Sequence, residues 1–286
     1  MDIKQQYIQE IVENRDSGAS ELARRCLEIV TDIIWKIQTN GVAEMKSEII
    51  DFAHALQAAR PSMSPIKNLL QTWLDNLQTL PTFTLQEFRL EAMKTAEDLI
   101  ESSKRAVDEA ATTLSQLIKP NSRIMTYSYS STVFSLIKIC RNSGIQLFIP
   151  ESRPLCEGAR LAETTAKLGV DTTVITESQI GLIVPKVDLV VVGADTVFKN
   201  GDVVNKAGTS LIAMAAHAAN KPFYVAFEKF KQANAEEHSV ELESMAESEL
   251  GLKEQANLRV FNYYFDITPA HYITAWITED GVRLNR

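Results

Sequence analysis

Cysteine is scarce in this chain and forms no pattern. The three residues Cys26, Cys140 and Cys156 stand far apart, the four histidines are equally dispersed, and no CxxC pair occurs. A disulfide framework and a zinc site are therefore not expected, and a reduced compartment is. No apolar run reaches the roughly 18 residues that a membrane-spanning helix needs. The opening Met1-Asp2-Ile3-Lys4-Gln5-Gln6 is not followed by the apolar stretch of a secretory leader, so the expected location is cytoplasmic. Neither a Walker pattern nor GxGxxG is present, which removes the usual nucleotide fingerprints. The formal net charge is -8 and Lys and Arg form no dense cluster, so direct contact with nucleic acid is not expected.

What remains is an ordinary globular composition. The chain has 286 residues, 45% hydrophobic and 23% charged, enough for one large domain or two smaller ones. Residues 1–120 read as helix after helix. Leu22, Cys26, Ile29, Val30, Ile33 and Ile34 recur at helical spacing within 21–38, and Ser17 or Ser20 is the expected N-cap. Further helices are predicted over 41–59, 64–79 and 85–118, punctuated at Pro61 and Pro81.

At Lys119-Pro120-Asn121-Ser122 the period changes. Short apolar runs over 123–126, 146–150, 172–176, 188–192, 222–226 and 260–267 alternate with helical patterns. This predicts an α/β fold: a helical N-terminal domain (1–120), then a Rossmann-like domain (121–286) with a mainly parallel sheet. Residues 232–256 stand apart with seven glutamates and one lysine. Two readings stay open for them, a solvated helix or insertion and an acidic partner-contacting surface.

Open parallel sheets bind ligands outside the carboxyl ends of their strands, and polar residues gather there. Thr126-Tyr127-Ser128-Tyr129-Ser130-Ser131 follows the first strand and Glu151-Ser152-Arg153 the second. Asp195 follows the fourth, and Glu228-Lys229-Phe230-Lys231 the fifth. The chemistry suits a phosphate. Arg153 can grip it bidentately, Lys206 adds a point charge, and Gly158 and Gly208 allow close backbone approach beside helix N-termini. Against this, Arg153 can equally pair with Glu151 or Glu157, and Gly208 can serve packing alone. Asp195 either caps the next segment or acts as a general acid/base beside a sugar. Hydroxyls of the Ser/Tyr cluster can bond the same ligand, but Ser128 is a weak nucleophile unless activated. No pattern calls for a cofactor or a metal.

The stretch G-A-D-T-V-F-K-N-G-D-V-V-N-K-A-G-T (193–209), preceded by E-S-R-P-L-C-E-G (151–158), resembles the family of the translation initiation factor 2B alpha, beta and delta subunits. That family also contains ribose-1,5-bisphosphate isomerase and methylthioribose-1-phosphate isomerase. The resemblance extends to Arg15-Asp16-Ser17-Gly18-Ala19-Ser20, Ala59-Arg60-Pro61-Ser62, Pro222-Phe223-Tyr224-Val225 and Phe265-Asp266-Ile267-Thr268-Pro269. It implies a sugar-phosphate or nucleotide pocket between the two domains and dimerisation, or higher self-association, through the second. A translation factor is a further implied partner.

By motif position, Arg153, Asn205, Lys206 and Lys231 would contact ligand, joined by Arg15, Gly18, Ala19, Ser130 and Gly158. Asp195 falls where the isomerases keep their catalytic aspartate. Two departures matter. Ser128 occupies the position of the isomerases' catalytic cysteine, and a hydroxyl is far less acidic than a thiol. Arg15-Asp16-Ser17-Gly18-Ala19 also departs from the isomerases' Arg-Gly-Ala and looks like the initiation-factor subunits. Hence two functions are expected in order: a regulatory sugar-phosphate or nucleotide binder, then an aldose–ketose isomerase with Asp195 and Ser128 as its catalytic pair.

Overall fold

Helical periodicity in the first third becomes helix in the computed structural model, which describes residues 2–15, 17–81, 84–234, 242–252 and 255–285. Helices α1 (Ile3–Glu13), α2 (Ala19–Lys36), α3 (Val42–Gln57), α4 (Ser64–Thr79) and α5 (Leu85–Ser115) follow one another. The apolar stripe of α2 is buried throughout, from Leu22 to Ile34. In α4, Trp73 is fully enclosed and its indole N–H donates to the Ala92 carbonyl at 3.0 Å, so the ring is buried without losing its polar bond. The expected serine caps of α2 are not used. Gly18 is the N-cap and makes no side-chain cap bond, while Ser20 lies buried inside the helix. The preceding turn is held instead by the Asn14 side chain, which accepts the Ser17 N–H at 2.9 Å. Asp16 lies outside the described residues.

The chain divides into two compact units, Met1–Arg105 and Ala106–Arg286, the boundary falling within α5. In the second unit strands and helices alternate: β1 (Arg123–Met125), α6 (Ser131–Cys140), β2 (Gln146–Pro150), α7 (Glu157–Lys167), β3 (Asp171–Ile175), α8 (Ile180–Ile183) and β4 (Leu189–Val192). A short hairpin of β5 (Thr196–Val197) and β6 (Val203–Lys206) comes next, then α9 (Thr209–Ala218), β7 (Phe223–Ala226), β8 (Phe265–Thr268), β9 (Ala275–Thr278) and β10 (Gly281–Leu284).

Seven strands form one sheet in the order β10-β9-β7-β4-β1-β2-β3. All its pairings are parallel except β9 with β10. Counted along the chain, the parallel strands run 3-2-1-4-5-6, the order of a doubly wound sheet with its crevice at the carboxyl ends of the first and fourth. Alternation along β4 decides the core. Val190 and Val192 enter one apolar cluster with Ile212 and Phe223, and Leu189 and Val191 enter another with Ile137 and Leu161. Both faces are thus dry, as a parallel sheet requires.

The strand expected over 260–267 needs correction. Its ordered part, β8, does not join the large sheet but pairs antiparallel with β6 in a second sheet, β5-β6-β8. The sixth parallel strand is β9. The reason is local: Val203 to Lys206 alternates into a strand whose free edge takes β8, leaving the edge beside β7 to β9. Of the acidic stretch 232–256, residues 235–241 and 253–254 lie outside the described ones. Its described part is no long helix: a single 3-10 turn, Glu247–Leu250, is tied down where Glu249 accepts from Asn262 and Tyr264. Among the described residues, no helix is long and apolar enough to cross a membrane.

Candidate functional site

The loop after β1 is pinned from two sides. Tyr127 is buried and its hydroxyl donates to the Ala207 carbonyl at 2.7 Å, joining this loop to the end of β6. Ser128, the next residue, adopts a left-handed φ of 58°, a conformation a serine holds only where its surroundings fix it. Its N–H donates to the Ser152 hydroxyl at 2.9 Å, which in turn donates to the Pro150 carbonyl at 3.1 Å. Ser130 then caps α6, its hydroxyl accepting the Val133 N–H at 3.4 Å.

The loop after β2 is fixed as tightly. Ser152 is fully buried with φ 64°, and the N–H groups of Ser152 and Arg153 both donate to Glu177 Oε1, at 2.7 and 3.1 Å. Two adjacent amides converging on one anion form a nest, here filled by the protein's own carboxylate. The guanidinium of Arg153 is exposed. Gly158 is glycine for a reason internal to the protein: a Cβ there would stand 2.0 Å from the Pro150 carbonyl oxygen and 2.7 Å from Ser152 Oγ. The missing side chain makes room for this network.

From β4 the chain reaches Asp195, which is half-buried and donates its N–H to the Val204 carbonyl at 2.9 Å as the hairpin begins. On β6, Asn205 is buried and donates through Nδ2 to Thr209 Oγ1 at 3.0 Å. Lys206 is buried too. Its Nζ donates to Glu157 Oε1 at 2.6 Å and lies 4.5 Å from the Tyr264 ring centre, so the cation has an anion and an aromatic face for partners. Gly208 opens α9 at φ 109° against the Tyr127 ring, where a Cβ would sit 2.4 Å from the hydroxyl oxygen. The amides at this helix start are already occupied: Asp266 accepts from Gly208 N at 2.7 Å and from Ser210 N at 3.2 Å. Burial pushes the Asp266 carboxyl up to about 6, although those two amides pull the other way.

Tyr127 therefore sits among charged neighbours. Its hydroxyl is held well above the usual tyrosine range, first by burial and then by the negative charges of Glu177, Asp266 and Glu157. The loops after β1 and β2, which carry Ser128, Ser130 and Gly158, are bonded to each other through Ser128 and Ser152 and to the end of β6, which carries Asn205 and Lys206, through Tyr127 with Ala207 and Glu157 with Lys206. Asp195 lies at the carboxyl end of β4 beside them in the sheet order. Lys231, after β7, is buried in an ion pair with Glu228 at 3.0 Å. Arg15, Gly18 and Ala19 belong to the helical unit. There Arg15 donates to the Val12 and Asn14 carbonyls at 2.6 and 3.2 Å, and Ala19 is buried at the start of α2.

Glu177 and Asp266, to which the sequence reading gave no role, prove central to this geometry, as do Ser152, named only within the segment Glu151-Ser152-Arg153, and Glu157, named only as an alternative partner of Arg153. Each acts through a partner distant in the chain, 49 residues away for Glu157 and 58 for Asp266. The sole local signal was their presence in the quoted stretches E-S-R-P-L-C-E-G and Phe265 to Pro269, and Glu177 had none. Of the three thiols, two are buried. Burial pushes Cys26 up to about 12 and raises Cys140 as well, while Cys156 is half-buried at the N-cap of α7. Among the described residues no cluster of three His, Cys, Asp or Glu side chains is arranged to hold a metal.

Comparison with known proteins accords with this frame. The chain is 30% identical to the ribose 1,5-bisphosphate isomerase of Methanocaldococcus jannaschii, over 99% of its own length and 92% of that protein. It is 34% identical to a putative translation initiation factor eIF-2B subunit 2-like protein of Pyrococcus abyssi, over 97% of this chain and 95% of that one. The crystal structure of translation initiation factor eIF-2B from Pyrococcus horikoshii superposes with a TM-score of 0.86 at 30% identity, covering 99% of this chain and 98% of that one. The model of the initiation factor 2 subunit family matches residues 15–284, and the chain belongs to that family.

Proposed function

We propose that this protein binds a phosphorylated pentose at the carboxyl ends of β1, β2 and β4 and acts as a regulatory subunit of the initiation factor 2B type. The observation that carries the reading is Ser128. The loop around it is held in a left-handed turn by Ser152, as a site-building loop would be, yet it presents a hydroxyl where the isomerases resembled here use a thiol. A hydroxyl near neutral pH yields too little oxyanion to shuttle a proton efficiently. In this reading the exposed guanidinium of Arg153 meets the phosphate, while Asn205 and Asp195 address the sugar. A nucleotide offers the same phosphate and ribose chemistry and is the variant ligand. Regulation would act through self-association or through a translation factor.

A second reading, an aldose–ketose isomerase, is favoured by Asp195. It follows a buried strand where the isomerases keep an acid, and a relative named ribose 1,5-bisphosphate isomerase matches almost the whole chain. A phosphorus NMR time course of ribose 1,5-bisphosphate with the purified protein separates the two. Shifted or broadened substrate lines without product support the binder. Ketose-phosphate resonances that grow catalytically, and vanish in Asp195→Asn, support the isomerase.

A further inference from the structure

The large sheet ends on an open edge. β10 pairs with β9 on one side and, among the described residues, with no strand on the other. Which of its groups face outward follows from the register. Asn285 donates its N–H to the Thr274 carbonyl at 3.0 Å. In an antiparallel ladder bonded pairs recur at every second residue, here Trp276 with Arg283 and Thr278 with Gly281. Val282 and Leu284 fall between them, so their N–H and C=O groups point away from β9. The end of the strand is held firm, because the Asn285 side chain donates to the Ala270 and Ile273 carbonyls, both at 2.8 Å.

The two faces of this edge differ in chemistry. Val282 and Leu284 are 42% and 64% exposed and form an apolar ledge on one face. On the other, Arg283 lies over the Trp276 ring, its guanidinium 4.3 Å from the ring centre. Two clefts of about 210 and 230 Å³ meet at Arg283 and Gln232, the first reaching Lys199 and the second Lys229. Lys229 is paired with Asp280, whereas Arg283 and Lys199 have no carboxylate partner among the described residues. A strand laid along β10 meets cations on one face and apolar side chains on the other.

A second copy of the chain fits this edge badly. Two β10 strands pairing antiparallel use both outward residues only with Val282 opposite Leu284. That register sets the two Arg283 side chains directly opposite each other, and facing like charges destabilise a strand pair. We infer that β10 docks an extended segment of a partner protein in which acidic and apolar residues alternate. The segment's backbone completes the bonds of Val282 and Leu284, its acids face Arg283 and Lys199, and its apolar side chains cover the ledge. This contact does not depend on pentose binding.

The test is an NMR titration of the full chain, isotope-labelled at valine and leucine nitrogens, with the peptide Gly-Ser-Val-Glu-Val-Glu-Val-Ser-Gly and with a counterpart carrying lysine for both glutamates. The Val282 and Leu284 amide signals should move with the acidic peptide, and the lysine peptide should bind at least about ten-fold more weakly. Arg283→Glu should reverse that preference. Val282→Pro removes an N–H that the β9 ladder does not use, and should weaken the acidic peptide roughly five- to ten-fold. Val282 and Leu284 signals that stay still at millimolar acidic peptide, or move equally with both peptides, overturn the inference on the wild-type protein alone, whether or not the variants fold. So does undiminished binding by folded Val282→Pro, which would place the peptide elsewhere. Sedimentation showing a dimer that Val282→Pro breaks would make a second copy the occupant and overturn the partner segment.

Discussion

The two sheets of the second unit solve opposite problems. The large sheet buries only what water rejects: β4 is Leu-Val-Val-Val, enclosed on every side, and Phe223 on β7 is fully buried. The small sheet buries Thr196, Asn205, Lys206 and Thr268 and keeps Asp266 mostly covered. Apolar burial needs no particular partner, whereas each buried polar group needs one at a defined distance. The large sheet therefore supplies stability and position, and the small sheet carries polar contacts: Asn205 with Thr209, Lys206 with Glu157, and Asp266 with the amides of Gly208 and Ser210. Local rules broken in this way, and compensated nearby, are characteristic of functional sites.

That contrast breaks most visibly by substitution. Phe223→Ala should cost about 3–5 kcal/mol of stability in urea unfolding, by lost burial and a cavity, while the molecules that remain folded bind ligand unchanged. In the small sheet, Lys206→Met should cost about 3 kcal/mol, because it leaves Glu157 without its counter-charge. Adding Glu157→Gln to it should recover most of the loss, since removing both charges removes the debt. No such rescue exists for Phe223→Ala. Equal, unrescued losses at both places would erase the distinction between the sheets.

Asp266 sharpens the comparison through pH. Its folded carboxyl titrates at about 6, above the ordinary 3.8. Between these values the folded state holds the proton more tightly than the unfolded one, so the group's contribution is fully present below about pH 4 and lost as pH rises through 6. Two pKa units at about 1.4 kcal/mol each, reduced for partial exposure, predict a loss on the order of 2 kcal/mol. Measured as the stability difference between the wild-type protein and Asp266→Asn, the wild type should lose ground from pH 4 to pH 6 and then level off. A gain over that range would mean that the amides of Gly208 and Ser210 dominate burial.

How much of this was legible follows the same division. The large sheet could be read because β4 is apolar on both faces and needs no knowledge of its neighbours. β6 was hidden: Val203-Val204-Asn205-Lys206 reads as a ligand motif, and its strand character emerges from pairing with β8, where Asn205 faces Asp266. That mispairing in the reading is also why Ala275 to Thr278 was missed as a strand. Gly158 shows the limit for single residues. The sequence says that no side chain fits, but whether the space belongs to a ligand or to the Pro150 carbonyl depends on a loop held by Glu177, which lies outside both motifs. Residues were recognised where chemistry is written locally, and their partners were not, because ion pairs and nests form across dozens of residues.

The smallest structural change has the most to say about function. Ser128→Cys exchanges an oxygen for a sulfur on a loop whose conformation is set by backbone contacts, the Ser128 N–H to Ser152 and the Tyr127 hydroxyl to Ala207. Neither contact involves the Ser128 side chain, so stability should shift by less than about 1 kcal/mol and ribose 1,5-bisphosphate affinity by a few-fold at most. The chemistry changes more. A thiol with an ordinary value near 8.5 is partly ionised at neutral pH, where a hydroxyl is not. If the remaining groups retain an isomerase arrangement, phosphorus NMR should detect ketose phosphate with the variant at a rate well above the wild-type protein, rising with pH as the thiolate forms and abolished by adding Asp195→Asn. Unaltered binding with no turnover would instead mean that the site lacks more than a thiol. The polar set of the small sheet would then be tuned for holding its ligand, and Asp195 would belong to recognition.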